Sequence, residues 1–478
     1  MRGIGRLKKI GRHLKHVWQN RNRTPVQKAL HWAKINSVPG QGIQRFPRKK
    51  VASEEITGYI IPTLWQLGER ALARRFVTWE ASTLQPDGAI LGDDGIPYTF
   101  DTAQAARGFL ALLDEMPSLL PALRKTCDYV VDHIANDGEV LTESYESWKF
   151  DDGTMLSPYG HLYCLPPLLE AGEKLGEKAY SEAALHALDY YRRRPDVVEF
   201  KPDRSTLSHY FGYMMEALVD LGATELARKG LERAADIQHP DGTVPAYPGA
   251  DWTCSTGAAQ LAIAWYKLGM TDPADRAMEA LVRVQNASGG FFGSYGEDAA
   301  YFPTTEISWA VKFFLDAVLL RVQANFNKES AIYSETIGPE DGRTRAVLEF
   351  FGDMEQRRVL DVGCGKGRFL RQIHARFPRA NLHGIDLSEK MLARCPDFVT
   401  SRQGSMLNLP YENDHFDCVF SVEALEHALL PENSIREMTR VLRPGGKLLI
   451  IDKNADRRGA LKIKPWEQCF RPDRVIEM

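Results

Sequence analysis

The first 53 residues contain no aspartate or glutamate. They carry 14 Lys or Arg, which leaves 46 basic against 63 acidic residues over 54–478, so the formal charge of −3 hides a basic arm on an acidic body. Cysteine is sparse and unpatterned. Cys127, Cys164, Cys254, Cys364, Cys395, Cys418 and Cys469 make no CxxC and no Cys/His pair at metal spacing. That pattern argues against structural zinc and fits a reducing compartment. No uncharged apolar run reaches the ~18 residues of a membrane-spanning helix, and no apolar signal core follows the N-terminus. The cytosol is the expected location. What the chain does have is length: 478 residues at 44% hydrophobic content suffice for two or three packed domains.

Within the basic arm, Ile4, Leu7, Ile10, Leu14 and Trp18 recur at helical spacing, with Arg6, Lys8, Lys9, Arg12 and Lys15 between them. A basic amphipathic helix of this kind lies on an anionic membrane face or meets a polyanion. Peripheral contact with the inner face of a membrane through residues 1–24 is therefore one expectation, and no nucleic acid is expected. A solvated tail is the plainer reading, because Gly3, Gly5 and Gly11 weaken a helix.

From Glu54 to Asn327 the chain repeats. Helix starts fall at Thr57, Asp101, Ser157, Ser205, Cys254 and Thr304, each about 50 residues from the next. Each opens an apolar, small-residue helix, a more charged helix follows, and a turn such as Asp87-Gly88, Asp137-Gly138, Asp241-Gly242 or Gly289-Gly290 closes the pair. Apolar first helices belong inside and amphipathic second helices outside. Six such hairpins make an α/α toroid. The sixth shows one clear helix, Glu306 to Val322, so the ring is either left open or closed by residues 26–34.

Residues 54–325 resemble the six-hairpin toroids of glycosidases, polysaccharide lyases and terpenoid cyclases. The turns Gln85-Pro-Asp-Gly, Gln238-His-Pro-Asp-Gly and Gln285-Asn-Ala-Ser-Gly are similar to the cyclase repeat motif without its tryptophan. There is no DxDD acid motif and no Cys/His/Asp zinc set, which argues against terpenoid cyclisation and protein prenylation. Inner-helix starts and adjoining loops place Tyr59, Asp101, His161, His209, Trp252, Tyr295 and Glu306 around the mouth. Aromatics interleaved with carboxylates and histidines suit a saccharide, stacking on sugar faces while polar groups take the hydroxyls. The competing reading makes Asp101 and Thr304 helix caps and the aromatics ordinary packing.

The stretch Val359-Leu-Asp-Val-Gly-Cys-Gly-Lys-Gly-Arg368 reads as a strand, a glycine turn and a helix start. Such a turn lets backbone amides approach a nucleotide-like ligand. Alternation of strand and helix from 358 to 452 marks a doubly wound parallel sheet. Asp361, two residues before the first glycine, would repel a pyrophosphate and suits an ammonium. Arg368 stands where a dinucleotide site wants its last glycine. Asp386, at the end of the second strand, is placed to accept from ribose hydroxyls.

Residues 341–455 resemble the class I S-adenosylmethionine-dependent methyltransferases, in the small-molecule group that includes ubiquinone-type enzymes. The resemblance assigns Asp361, Gly363, Gly365 and Gly367 to the methionine moiety and Asp386 to the ribose. Ser405 and Met406 fall in the adenine segment, where Ser405 replaces the family's usual Asp. Ser421 and Glu423 lie in the segment beside the transferring methyl, with Glu426 and His427 as candidates for a general base. It implies S-adenosylmethionine as cofactor; no divalent-metal carboxylate set is visible, so no metal is expected. Only 26 residues follow Asp452, where the family's sheet continues into two more strands. A five-stranded sheet with an exposed edge, a cut chain and a partner-covered edge are all compatible.

The expected organisation is thus multidomain: a basic arm (1–53), an all-α α/α toroid (54–326), a linker (327–340) and an α/β doubly wound, Rossmann-like methyltransferase domain (341–478) lacking its last two strands. The leading expectation is methyl transfer to a carbohydrate or glycolipid of cell-envelope polysaccharide assembly, with the toroid holding the glycan. Two alternatives stay open: a toroid that is itself a lyase, hydrolase or epimerase, and a cofactor-binding scaffold without turnover.

Overall fold

A computed structural model describes residues 20, 23–47, 50–150, 152–457 and 468–478. The expected amphipathic helix over Ile4–Trp18 lies outside the described residues. Two compact units emerge, one of residues 1–65 and 70–321, the other of residues 66–69 and 322–478.

The first unit is helical. Its apolar helices are buried almost all round: Thr99–Leu112 buries every residue except Arg107 and Ala111, and Ser255–Lys267 every residue except Lys267. Their charged successors bury one stripe only, as Thr224–Asp236 does through Ala227, Gly230, Leu231 and Ala234. Buried helices follow one another in contact. Glu54–Gln66 presses on Thr99–Leu112 so closely that a Cβ on Gly58 would lie 2.7 Å from the Ala105 nitrogen. Ser208–Asp220 meets Ser255–Lys267 through Gly257, where a Cβ would lie 2.1 Å from Ser208 Oγ. The last, Ser308–Glu329, returns to the first: Thr63 Oγ1 donates to Asp316 Oδ1 at 2.5 Å, and the Tyr59 and Phe313 rings lie 5.8 Å apart.

The turns repeat one docking move. Gly88, Gly138, Gly242 and Gly289 all have φ between 89° and 98°, a region that favours glycine. Each rests on a carbonyl of the next charged helix, of Lys125, His186, Arg276 and Lys28 respectively. Lys28 belongs to Pro25–Ile35, so the N-terminal helix takes the place that a sixth charged helix would occupy. Thr24 starts it with a reciprocal capping box to Gln27, and Pro25 occupies its first turn.

Helix starts differ from the expectation in detail. Asp101 sits inside its helix, which begins at Thr99 with Tyr98 as a cap that makes no side-chain bond, so the capping role does not hold. The start at Ser157 opens a 3-10 turn, Pro158–Cys164, before the α-helix Leu165–Leu175. Prolines 158, 166 and 167 supply no amide for a continuous α-helix.

The second unit contains five parallel strands: β1 Arg358–Val362, β2 Asn381–Asp386, β3 Val399–Gln403, β4 Phe416–Val422 and β5 Leu442–Ile451. Their order is β3-β2-β1-β4-β5. Val362 pairs with Ile385 and Asp361 with Phe420, which brings the carboxyl ends of β1, β2 and β4 to one edge, the place where such sheets bind ligands. Apolar β1 and β4 divide two core layers: Val359, Cys418 and Phe420 face one, Leu360, Val362 and Val419 the other. Past Val422, the last residue of β4, comes a short 3-10 turn, Leu425–His427.

Candidate active site

The glycine turn after β1 is held from below. Gly363 and Cys364 amides both donate to the Ile385 carbonyl, at 2.8 and 3.0 Å. The Gly365 amide donates to Asp386 Oδ2 at 2.8 Å, and the Ser388 amide to Asp386 Oδ1 at 2.9 Å. Gly363 stands at φ 83°, and a Cβ there would lie 2.4 Å from that of Ala424. Met406 Cε comes within 3.8 Å of the same point. Asp361, Gly363, Gly365, Asp386 and Met406 are therefore brought together.

The donor set fits a cationic nucleoside. Asp361 is 1% exposed and its Oδ2 has no hydrogen-bond partner. Burial, with Cys395 and Asp386 nearby, pushes its carboxyl well above the usual carboxylate range, and a ligand ammonium would relieve that cost. Each Asp386 oxygen keeps a lone pair beyond the amide it accepts, which suits the two hydroxyls of a ribose. S-adenosylmethionine, when bound, supplies an electrophilic methyl on its sulfonium; the chain's part is to orient it.

Three assigned residues have partners within the chain. Ser421 is fully buried and donates to the Val362 carbonyl at 2.9 Å, so its hydroxyl ties β4 to β1. Glu423 is claimed by two arginines, Arg343 and Arg368, with Arg368 Nη2 at 2.9 Å. Ser405 Oγ accepts from the Leu407 amide at 3.1 Å and shapes its own turn.

Glu426 and His427 form part of a larger polar cluster. Glu426 Oε1 lies 3.3 Å from His427 Nε2 and 3.1 Å from Lys453 Nζ, while its amide donates to Asp452 Oδ2 at 3.0 Å. His427 Nδ1 is buried without a partner, and Phe326 packs edge-on against the ring at 5.0 Å. A neutral His427 can accept a proton at Nδ1, with Nε2 directed at Glu426. Sequence reasoning missed Lys453, Phe326 and Asp452. Asp452 was findable, since it follows β5 as Asp386 ends β2. Burial, with Glu426 beside it, raises Asp452 to about 7. A carboxyl whose folded-state pKa is raised binds an extra proton when folded, so stability falls as pH rises from about 4 to about 7. Asp452→Asn removes that penalty. Thermal melts should show the variant more stable than the parent at pH 8, with the gain shrinking steadily to near zero at about pH 4; a gain of the same size at both pH values contradicts the assignment.

The helical unit holds a cavity of about 830 Å³. Asp101 and His209 line it, with Arg45, Glu55, Asp93, Asp94, Trp148, Phe150, Asp152, Arg204, Tyr210, Tyr301 and Trp309 among the others. Arg45 Nη2 reaches Glu55 Oε2 at 3.0 Å. Burial, then Glu55, lifts Asp101 well above the carboxylate range. His209 Nδ1 donates to Gln260 Oε1 at 2.6 Å, and burial lowers the ring to about 4, so it stands neutral. Five other residues assigned to the mouth lie elsewhere. Tyr59 is core. His161 is fully buried and stacks on Trp148 at 4.3 Å, donating from Nδ1 to the Pro158 carbonyl. Trp252 pairs with Gly296 in a two-stranded ribbon, and Tyr295 Oη accepts from the Phe292 amide at 2.8 Å. Glu306 is taken by Trp32 Nε1 at 2.6 Å, Asn286 Nδ2 at 2.9 Å and Ser288 Oγ. Arg45 and Asp93 come from loops and Arg204 from a 3-10 turn, and no periodicity marked them.

Strand, glycine turn, Asp361 and Asp386 define an α/β site for a nucleoside carrying a positive charge. Residues 360–450 match the family model for a methyltransferase domain, so the second unit carries a methyltransferase domain. The sterol 24-C-methyltransferase of Schizosaccharomyces pombe is 37% identical over 98 residues, covering 19% of this chain and 26% of that protein. The chloroplastic tocopherol O-methyltransferase of Arabidopsis thaliana is 29% identical over 164 residues, 30% and 47% of the two chains. A solved phosphoethanolamine N-methyltransferase 2 of Haemonchus contortus, in complex with S-adenosyl-L-methionine, is 26% identical, with TM-score 0.27 and coverage of 34% and 42%. The matching segment thus spans less than half of each of these relatives.

Proposed function

We propose that the chain transfers a methyl group from S-adenosylmethionine to a carbohydrate or glycolipid of cell-envelope polysaccharide assembly, with the helical unit as a closed α/α toroid that binds the glycan. Support for the ring comes from the return of Ser308–Glu329 to Glu54–Gln66 and from Pro25–Ile35 receiving Gly289 as the other charged helices receive their turns. The observation that carries the substrate class is the cavity, where Trp148, Phe150, Tyr210, Tyr301 and Trp309 alternate with charged groups. Aromatic faces suit the apolar faces of sugars, and carboxylates suit their hydroxyls. With Asp101 pushed toward its protonated form, Glu55, Asp93, Asp94 and Asp152 against Arg45, Lys149 and Arg204 leave a slight negative excess, which favours a neutral glycan over a polyuronate. The relatives' names speak of a sterol and of tocopherol; a glycolipid acceptor shares an apolar part with them. Among the described residues no helix is long and apolar enough to cross a membrane, and contact with one is proposed through residues 1–24. Isothermal titration of neutral oligosaccharides into the full chain tests the cavity: binding should weaken at least tenfold in Trp148→Ala, and equal affinity in the variant removes the reading.

One observation favours a second activity. Burial, then Glu55, pushes the Asp101 carboxyl well up, while Arg45 pairs with Glu55, so one cavity holds two carboxyl groups in unlike surroundings, the arrangement that glycosidic-bond cleavage uses. Chromatography of glycans incubated with the protein should then show shortening that Asp101→Ala abolishes. Unshortened chains leave the unit as a binding domain.

A further inference from the structure

Two arginines meet on one carboxylate beside the cofactor turn. Arg368 opens the helix Arg368–Arg376, directly after Gly367. Arg343 lies in the first turn of Gly342–Phe351. Both reach Glu423, Arg368 with Nη2 at 2.9 Å. Glu423 has φ 53°, a left-handed backbone at a residue other than glycine. Its amide holds that conformation by donating to the Ile451 carbonyl at 2.8 Å. Side chains aimed in this way cluster at ligand sites. The next residue, Ala424, is the one that a Cβ on Gly363 would meet at 2.4 Å, so Glu423 and its arginines flank the glycine turn that follows Asp361.

The two arginines are not equivalent. Arg343 is wrapped around Asp341, which accepts from its amide, Nε and Nη2 at 2.9, 3.0 and 2.9 Å. Arg368 has no carboxylate to itself; among the described residues it shares Glu423 and uses Nη2 to do so. The rest of its planar fork of N–H donors matches a second carboxylate. Burial, then Cys395 and Asp386, push the Asp361 carboxyl up, and the Arg368 cation opposes the rise. The methionine end of S-adenosylmethionine carries an ammonium and a carboxylate on one carbon. Asp361 suits the ammonium, and its neighbour needs a cation at the same turn.

We propose that Arg368, oriented by Glu423, binds the carboxylate of the methionine moiety and makes the site selective for cofactors that carry one. Position 368, where a dinucleotide turn would have its last glycine, then has a reason to be arginine. S-adenosylmethionine and its product S-adenosylhomocysteine both keep the carboxylate, so the contact serves them alike. It lowers the cofactor's Kd and KM and leaves kcat unchanged. Decarboxylated S-adenosylmethionine, which keeps the sulfonium, the adenosine and the amine, is the compound such a site rejects.

The inference rests on the reading of this turn as the cofactor site, and the experiment separates the two. The full chain is titrated calorimetrically with S-adenosylmethionine, S-adenosylhomocysteine and decarboxylated S-adenosylmethionine. The parent should bind S-adenosylmethionine at least tenfold tighter than its decarboxylated form, the scale of one charge-assisted hydrogen bond. Arg368→Met should lose at least tenfold for the two carboxylate-bearing ligands and nothing for the third, so the preference disappears. Arg368→Lys, which keeps the charge beside Glu423 and the fold with it, should retain part of the preference. Arg376→Met, at the far end of the same helix, should retain all of it. A parent that binds none of the three overturns the cofactor site itself. A parent that binds both forms of S-adenosylmethionine equally, or a loss in Arg368→Met of the same size for both, overturns the carboxylate contact alone.

Discussion

Asp386→Ala should weaken binding of S-adenosylmethionine about 100-fold while leaving the sheet folded. Asp386 ends β2 and is the one carboxylate that touches both the glycine turn, through the Gly365 amide, and the loop beyond, through the Ser388 amide. Its free lone pairs are those that a ribose would use. Losing two hydrogen bonds to a charged acceptor costs about 1.5 kcal/mol each, and about 3 kcal/mol is a factor of about 100 in Kd. Asp386→Asn keeps acceptor capacity on one oxygen and should fall between. Titration calorimetry, with far-ultraviolet circular dichroism to confirm folding, reads the effect. Affinity unchanged in the alanine variant would mean that the ligand lies elsewhere.

The largest effect on stability is expected from Trp32→Ala. Trp32 is 1% exposed and belongs to the N-terminal helix, and its indole nitrogen donates to Glu306, whose carboxylate also gathers Asn286 and Ser288. Truncating a buried tryptophan costs about 3–5 kcal/mol, and the half-buried Glu306 carboxylate losing a charge-assisted donor adds to that. At roughly 2–4 °C per kcal/mol, the helical unit should melt about 10 °C lower. Trp32→Phe fills most of the space and should show mainly the missing hydrogen bond. If Trp32→Ala melts within a degree or two of the parent, Pro25–Ile35 does not close the helical unit.

The sheet was legible because its signals are local. Val359, Leu360 and Val362 lie between a charged loop and three glycines, and Asp386 follows an apolar strand, so period and punctuation agree. Locality said nothing of the partners of Ser421 and Glu423. The resemblance placed them in the segment beside the methyl; the buried hydroxyl of Ser421 is met by the Val362 carbonyl, and Glu423 by two arginines, one of them 80 residues away in sequence. Legibility was lower in the helical unit. Repeats revealed which helices are buried, yet helix starts were displaced by several residues where proline or a 3-10 turn intervened. Of seven residues assigned to the mouth only Asp101 and His209 line the cavity, because much of its wall comes from loop residues such as Arg45, Phe46, Asp93, Asp94, Phe150 and Asp152. Loop placement depends on tertiary packing, which no period encodes. Glu306 shows the cost of that: a carboxylate near a helix start looked available, and three donors from distant segments had already taken it.

The central claim is that a glycan held by the helical unit receives the methyl group. It is tested most directly by incubating the full chain with methyl-labelled S-adenosylmethionine and a mixture of neutral glycans, glycolipids and sugar-free lipids, then locating the label by mass spectrometry. The account predicts a methylated sugar, absent with Asp386→Ala and formed with a raised acceptor KM by Trp148→Ala at unchanged cofactor affinity. Label appearing only on sugar-free lipid, equally fast in Trp148→Ala, would contradict it.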